Sequence, residues 1–273
     1  MLRYSIAKLG RQVGRKAGTT AILPAIEGRL GTEKEYYSTL RSMLTQMAKE
    51  TRESILPAYE AEQRQKRAER AYSGDAGRDW FVMLRQLATQ LSRVASDTVD
   101  RILGLESQRH TETFMATAKR ALGIDLRAVV QQEDLVDYLR EAAARNASLI
   151  TGMSDDLIKG IEQAVYNNSI AGNSVATLRK ALQEQFGVAD RRAKLLARDQ
   201  TSKLNSDLNR RRQEQAGVTS YTWLTSRDER VRERHRRLEG KVYKWGEATG
   251  AEQGLPPGQP INCRCLARGI VEF

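Results

Sequence analysis

The sequence predicts a mainly α fold, an elongated helical body followed by a small α+β C-terminal module. Three observations predict it. The apolar residues, 40% of the chain, are carried by Leu, Ala, Val and Ile far more than by aromatics at 6%, and Arg, Gln and Glu are abundant, a mixture that favours helices. Through most of the chain the apolar positions recur at helical spacing. After Gly217 the pattern changes to short aromatic segments and a Pro/Gly-rich loop. At 273 residues with 29% charged, the chain can bury one sizeable core or two small ones.

The opening segment holds Gly10, Gly14, Gly18, Gly28 and Gly31 with Pro24 between them, so helix there should be short or broken. Residues 1–32 read as a flexible basic arm. Arg3, Lys8, Arg11, Arg15 and Lys16 give its start five positive charges and no acidic one, which suits a solvated leader or contact with nucleic acid or an acidic protein surface. From about Glu33 a helix begins, with Tyr37, Leu40, Leu44 and Met47 on one face. Pro57 should end or kink it, and the charged run Glu60 to Arg70 continues as an exposed helix. Ser73-Gly74-Asp75-Ala76-Gly77 interrupts the pattern. Beyond it Trp80, Leu84, Leu87, Leu91, Val94 and Ile102 form the strongest apolar stripe of the chain, suited to packing along another helix or another subunit.

Further helices are predicted around 109–121, 131–147, 155–170, 175–186 and 189–215. Ser154 can cap the third of these, whose inner face is Leu157, Ile161 and Val165. Ser174 can cap the fourth, with Leu178, Leu182 and Phe186 inward, and Gly187 and Gly217 are natural stops. Tyr221-Thr222-Trp223 and the run Lys241 to Trp245 read as strands, and Gly254 to Pro260 as a constrained loop. The boundary before this terminal module falls near residue 145, which leaves 33–145 as a helical contact region and 146–273 as the module with its helical lead-in.

The formal charge of +11 favours a polyanion such as DNA, but the excess is spread along the chain. No stretch approaches the roughly eighteen apolar residues of a membrane span, so the chain reads as soluble, not secreted and without a membrane partner. The two cysteines, Cys263 and Cys265, flank a single residue. A mutual disulfide there is geometrically awkward, and both are read as thiols.

Chemistry concentrates in the terminal module. Asp228, His235, Cys263 and Cys265 could hold zinc, since two thiolates, an imidazole and a carboxylate suit a borderline-soft ion. The spacing is not that of a familiar finger, and a buried polar cluster or redox and catalytic use of a thiol are the competing readings. Arg227 to Arg237 contains six arginines; a solvated face explains most of them, with Asp228 and Arg232 able to pair one helical turn apart.

The order and spacing of a longer set of residues carry more information: Tyr221-Thr222-Trp223, Asp228 to Arg232, His235, Leu238-Glu239-Gly240, Tyr243, and Leu255 to Cys265, which includes Asn262 and Arg264. Together they resemble the domain shared by the phage Mu F protein and the SPP1-type head morphogenesis proteins. Upstream, Phe186-Gly187-Val188 and the helix through Arg191, Arg198, Asp199, Thr201 and Asn205 resemble the segment that precedes this motif, with Arg198-Asp199-Gln200 where the family often has Arg-Thr-Glu. The resemblance covers about 150 to 268, and it makes Trp223, Asp228, Arg232, His235, Gly240, Asn262, Cys263, Arg264 and Cys265 the structural motif.

The resemblance implies a minor capsid protein of a tailed bacteriophage, inside the head near the portal, made in the host cytoplasm and aiding assembly, DNA packaging or ejection. Its partners would be the portal protein, the major capsid protein and packaged double-stranded DNA, held by non-specific phosphate contacts. No catalytic residue is assigned. A metal-assisted nuclease or toxin-like domain with His235 as general base is one alternative, but there is no H-E-x-x-H, no Gly-rich phosphate loop and no second acidic cluster. A sequence-independent DNA-binding protein is the other.

Overall fold

A computed structural model describes residues 2–69, 80–131 and 133–273. The interruption Ser73-Gly74-Asp75-Ala76-Gly77 lies outside the described residues. The elements are α1 Ile6–Gln12, β1 Thr20–Ile22, α2 Leu30–Glu50, a π-turn Thr51–Ile55, α3 Leu56–Glu69, α4 Trp80–Leu122, α5 Arg127–Val130, α6 Val136–Ile170, α7 Val175–Gln215, β2 Ser220–Leu224, α8 Glu233–Arg236, β3 Val242–Lys244, a 3-10 turn Glu252–Gly254 and β4 Leu266–Glu272. The class is mainly α, with a long helical body and a small antiparallel sheet in the order β1-β4-β2-β3.

Helices predicted as separate neighbours are joined into longer ones in α4, α6 and α7. Gly187 does not stop a helix: it lies inside α7, joining the stretches predicted as 175–186 and 189–215. Ser154 does not cap one either. It is buried within α6, its hydroxyl directed at the Met47 thioether at 3.9 Å. An interior glycine costs a helix only about 1 kcal/mol against alanine, less than the packing of a continuous apolar face returns. The other two end signals hold. The Ser174 hydroxyl accepts from the Thr177 N–H at 3.2 Å, and Gly217, at φ +79, turns the chain after α7. Pro57 sits in the first turn of α3, immediately after the π-turn; the widened turn accommodates a ring that has no N–H to donate and would crowd the preceding carbonyl.

The chain folds into two compact units whose segments alternate along the sequence, in contrast to the serial divisions 1–32, 33–145 and 146–273. The first comprises Met1–Glu33, Ile102–Ala142 and Arg198–Phe273; the second comprises Lys34–Arg101 and Ala143–Ala197. Among the described residues, its regular elements are all helices. Its core includes Tyr36, Leu40, Met47, Tyr59, Phe81, Leu84, Val99, Ile161 and Leu178, all fully buried. Side chains cross-link it: Tyr36 donates to Asn146 Oδ1 at 2.6 Å, Tyr59 to the Asn173 carbonyl at 2.8 Å, and Ser92 to the Met43 sulfur at 3.8 Å. The inward face of α4 here is Phe81, Leu84, Ala88, Ser92, Ala95 and Val99, so the predicted stripe is rotated and Val94, at 62% exposure, faces out.

In the first unit, residues 2–33 do not form the expected loose arm. Ser5 caps α1, β1 pairs antiparallel with β4 from Thr20↔Glu272 to Ile22↔Ile270, and the backbone of Arg3, Tyr4 and Ile6 donates to the carbonyls of Gln215 and Ala216. Tyr4, Ile6, Leu23 and Ile26 share a core with Phe114, Leu122, Leu126, Val218, Val271 and Phe273. Two of the five basic residues are engaged too: Arg3 pairs with Asp134, and Arg15 donates to the Ala121 and Leu122 carbonyls at the end of α4, where a cation is favoured. Gly10 permits this packing because a Cβ on it would stand 2.1 Å from the Phe273 ring. Gly10→Ala is therefore expected to destabilise the unit by about 1–3 kcal/mol through overpacking, read as a lower urea midpoint with an unchanged m-value.

A polar network is buried in the same unit. Arg212, 1% exposed in its side chain, makes an ion pair with Glu133, 2% exposed, and donates to Thr111 Oγ1 at 2.6 Å; Tyr4 donates to the other Glu133 oxygen at 2.8 Å. His110 lies beside it, where burial, and then the Arg212 charge, push its imidazole down to about 3 and keep it neutral.

Candidate functional site

The terminal sheet and the C-terminal half of α7 hold the site. β2 pairs with β4 from Ser220↔Ile270 to Leu224↔Leu266, which sets Cys265, just before β4, beside Trp223 of β2. The loop carrying the cysteines is pinned from α7: Ser202 donates to the Cys263 carbonyl at 2.5 Å, Ser206 to the Pro257 carbonyl at 2.6 Å, and Asp207 accepts from the Gln259 amide at 2.7 Å. Asn262 takes a left-handed conformation, φ +58, and its N–H donates to buried Asp199 at 2.8 Å. Thus Asp199, rather than Gln200, provides the carboxylate in the Arg198-Asp199-Gln200 stretch.

Above this loop the short helix α8 places His235 over both thiols. Its Nδ1 lies 3.5 Å from Cys263 Sγ and 3.6 Å from Cys265 Sγ, and all three residues are buried. Its Nε2 is 2.6 Å from Glu252 Oε2. The carboxylate fixes the ring: Nε2 carries the proton and donates, which leaves the Nδ1 lone pair facing the sulfurs. Burial acts to raise the Glu252 carboxyl, but the hydrogen bond with His235 and the nearby Arg232 charge prevail and hold it below the ordinary carboxylate value. Glu252 also receives Arg232, whose other guanidinium nitrogen donates to the Ile261 carbonyl at 2.7 Å.

The two thiols are not equivalent. Cys263 is lowered to about 6, chiefly by the hydrogen bond from the Cys265 thiol and then by backbone N–H groups of Cys265 and Gly258 directed at its sulfur, against the opposing effect of burial. Cys265 is raised, first by that same hydrogen bond and then by burial. Trp223, fully buried, sets its ring edge-on to His235 at 5.5 Å, and its indole N–H acts on Cys265 in favour of the thiolate.

These residues fit a metal ion. In a tetrahedral zinc site with bonds of about 2.05 Å to nitrogen and about 2.3 Å to sulfur, nitrogen and sulfur stand about 3.5 Å apart, which matches both separations. The donor atoms of His235, Cys263 and Cys265 all lie within 4.8 Å of one another. The same distances suit S–H···N hydrogen bonds, so metal content is the discriminating measurement.

Of the residues the sequence singles out, Trp223, His235, Cys263 and Cys265 are brought together, and Arg232 joins them through Glu252. Asp228 is not among the ligand group. It neither faces the thiols nor pairs with Arg232: α8 begins only at Glu233, and the Asp228 carboxylate instead holds Arg264 at 2.7 Å and the Arg230 N–H at 3.0 Å. Gly240, φ +75, makes the turn into β3, its N–H bonded to the Trp223 carbonyl. Glu252 was not foreseen, and nothing in its local sequence distinguishes it from other loop glutamates.

Comparison with known proteins accords with this geometry. The family model described as Phage Mu protein F like protein matches residues 159–268, from within α6 to β4. Over this segment the chain is similar to the phage Mu F-like family. The Mu F-like segment thus includes the His235/Cys263/Cys265 cluster and the stretch of α7 that pins it. An uncharacterised protein of Haemophilus influenzae is 29% identical over 185 residues, a span covering 67% of this chain and 40% of that relative. No solved structure matches the chain.

Proposed function

We propose that the protein is a minor structural component of a tailed-phage head, internal and associated with the portal, and that its Mu F-like segment is a zinc-pinned folding module rather than an active site. The family match over residues 159–268 carries the head assignment. The portal and major capsid proteins are its protein partners in this reading, and its excess of arginine and lysine contacts packaged duplex DNA through phosphates, without reading sequence. No helix among the described residues is long and apolar enough to cross a membrane.

One observation favours the metal-assisted enzyme as a second reading. Three protein ligands leave a fourth zinc position, and a cavity of about 100 Å³ adjoins His235, Cys263 and Cys265. Its other walls come from Ser226, Arg230, Val231, Arg232, Asn262 and Arg264. None is a carboxylate or a second imidazole, so a water there has no general base beside it. Glu252 is engaged at the far nitrogen of His235. The arrangement therefore supports holding a fold together better than activating water.

The test is quantitative mass spectrometry of purified virions and DNA-free heads, calibrated for this chain, portal and major capsid protein. A low, reproducible ratio to portal in both particles is expected. Absence from both would overturn the structural assignment and return attention to the enzyme and DNA-binding alternatives.

A further inference from the structure

Asp228 and Arg264 take no part in the His/Cys cluster; their ion pair forms part of the wall of a separate cleft of about 650 Å³ in the first unit. Leu30, Leu224 and Leu266 give the cleft an apolar face. Five arginines line it with no lysine: Arg29, Arg198, Arg227, Arg264 and Arg268. Three carboxylates line it as well, Glu27, Glu33 and Asp228.

Three of the arginines are held in place. Arg198 pairs with Glu33 at 3.3 Å, Arg264 with Asp228 at 2.7 Å, and Arg227 with Glu239 at 2.9 Å. Arg29 and Arg268 have no carboxylate partner among the described residues. Arg268 projects from β4 and is half-buried, in a setting where the local dielectric is below that of water and an incoming anion is held more strongly than on an open surface. Guanidinium groups also bind carboxylate and phosphate through two parallel N–H donors, which a lysine cannot.

We propose that this cleft docks an acidic peptide segment of a partner protein, its carboxylates on Arg29 and Arg268 and an apolar side chain against the leucines. The lining decides between peptide and nucleic acid. A single strand needs aromatic faces on which bases stack, and no aromatic residue lines the cleft. Duplex DNA presents an unbroken row of phosphates, more charge than Arg29 and Arg268 can meet in a cleft whose other three arginines are paired. An extended peptide alternates acidic and apolar side chains and can match both the free cations and the leucines.

The measurement is fluorescence anisotropy on the full chain with a short labelled peptide of repeating Glu-Leu-Asp-Gly units, its Gln-Leu-Asn-Gly counterpart, and a labelled DNA duplex. The acidic peptide should bind at least about tenfold tighter than the neutral one. Arg29→Gln with Arg268→Gln should abolish that preference, while Arg93→Gln with Arg101→Gln, two exposed arginines of α4 outside the cleft, should leave it intact. If replacing Arg268 disturbs β4, shown by a lowered melting temperature, Arg29→Gln alone carries the test, and a several-fold loss is expected because Arg29 is exposed and without a carboxylate partner. Equal affinity for the two peptides, or an acidic peptide insensitive to the cleft substitutions, overturns the proposal. So does loss of duplex binding, with peptide binding retained, in the cleft variant; that outcome would make the cleft a phosphate site. None of these results depends on where the protein resides in the virion.

Discussion

Replacing Arg212 with alanine is expected to destabilise the protein by about 3–5 kcal/mol, because it leaves a buried carboxylate without its counter-charge. Arg212 and Glu133 are 1% and 2% exposed, and the guanidinium also satisfies Thr111. Burial raises the Glu133 carboxyl and lowers the Arg212 guanidinium, and in each case the partner's charge works the other way. With Arg212 gone, only the Tyr4 hydrogen bond still opposes the burial effect on Glu133. A carboxyl whose folded value is raised favours the folded state below the ordinary carboxylate value and loses that contribution as pH rises through the raised one. The variant should therefore be penalised most at neutral pH and least near pH 4–5, where Glu133 can protonate. Urea titrations at the two pH values check this. Arg212→Met with Glu133→Gln should recover most of the loss, since Gln still accepts from Tyr4 and no charge remains buried. Additive effects in that double-mutant cycle would show that the pair is not coupled.

This network also shows where sequence reading stops. Glu133, Tyr4, Thr111 and Arg212 meet only after three distant segments converge, and no local pattern announces that. What is local was legible. Leu157, Ile161 and Val165 are buried on α6, Leu178 and Leu182 on α7, and the aromatic runs around Trp223 and Tyr243 are strands. The head of α7 has its predicted serine cap and its end the predicted glycine turn.

The misses have specific causes. β4 is one of the two interior strands of the sheet, yet its inward positions are Ala267, Gly269 and Val271, while Leu266 and Ile270 point to the less buried side. Small residues inside and larger ones outside invert the alternation by which a strand is recognised. Gly269 is required to be small, because a Cβ there would stand 2.7 Å from the Gln213 amide oxygen. The rotated face of α4 shows the same inversion: the small Ala88, Ser92 and Ala95 are inward, and the larger Val94 is left outside. Glycines and basic residues at the start suggested a loose arm, but three-residue β1 and seven-residue α1 gain their stability from β4 and α7, not from propensity. In the site, His235, Cys263 and Cys265 were found by residue type, whereas the choice between Asp228 and Glu252 depended on loop geometry.

That choice leads to the second large effect. Removing zinc is expected to loosen residues 220–268 before the upstream helices, seen as amide exchange rising first in β2, β3 and the 255–265 loop. Structural zinc in small modules is worth about 10–16 kcal/mol of binding free energy; only part is at stake here, because the module also keeps the ladder between β2 and β4 and a packed cluster around Tyr221 and Trp223. Native protein should carry about one zinc per chain by elemental analysis. Cys263→Ser with Cys265→Ser should lose the metal, lower the melting temperature and hinder incorporation into heads. Glu252→Ala should weaken zinc by about 10–100-fold by releasing the His235 ring, and Asp228→Ala should leave metal content unchanged, since Asp228 is committed to Arg264. Native protein free of metal, together with chelator-insensitive exchange, would remove zinc from the account. The cluster would then be a set of buried hydrogen bonds, in which Cys265 as thiol donor, Cys263 as acceptor and the His235–Glu252 pair satisfy one another, and the serine variant would lose only the roughly 1–3 kcal/mol of unmet buried polar groups.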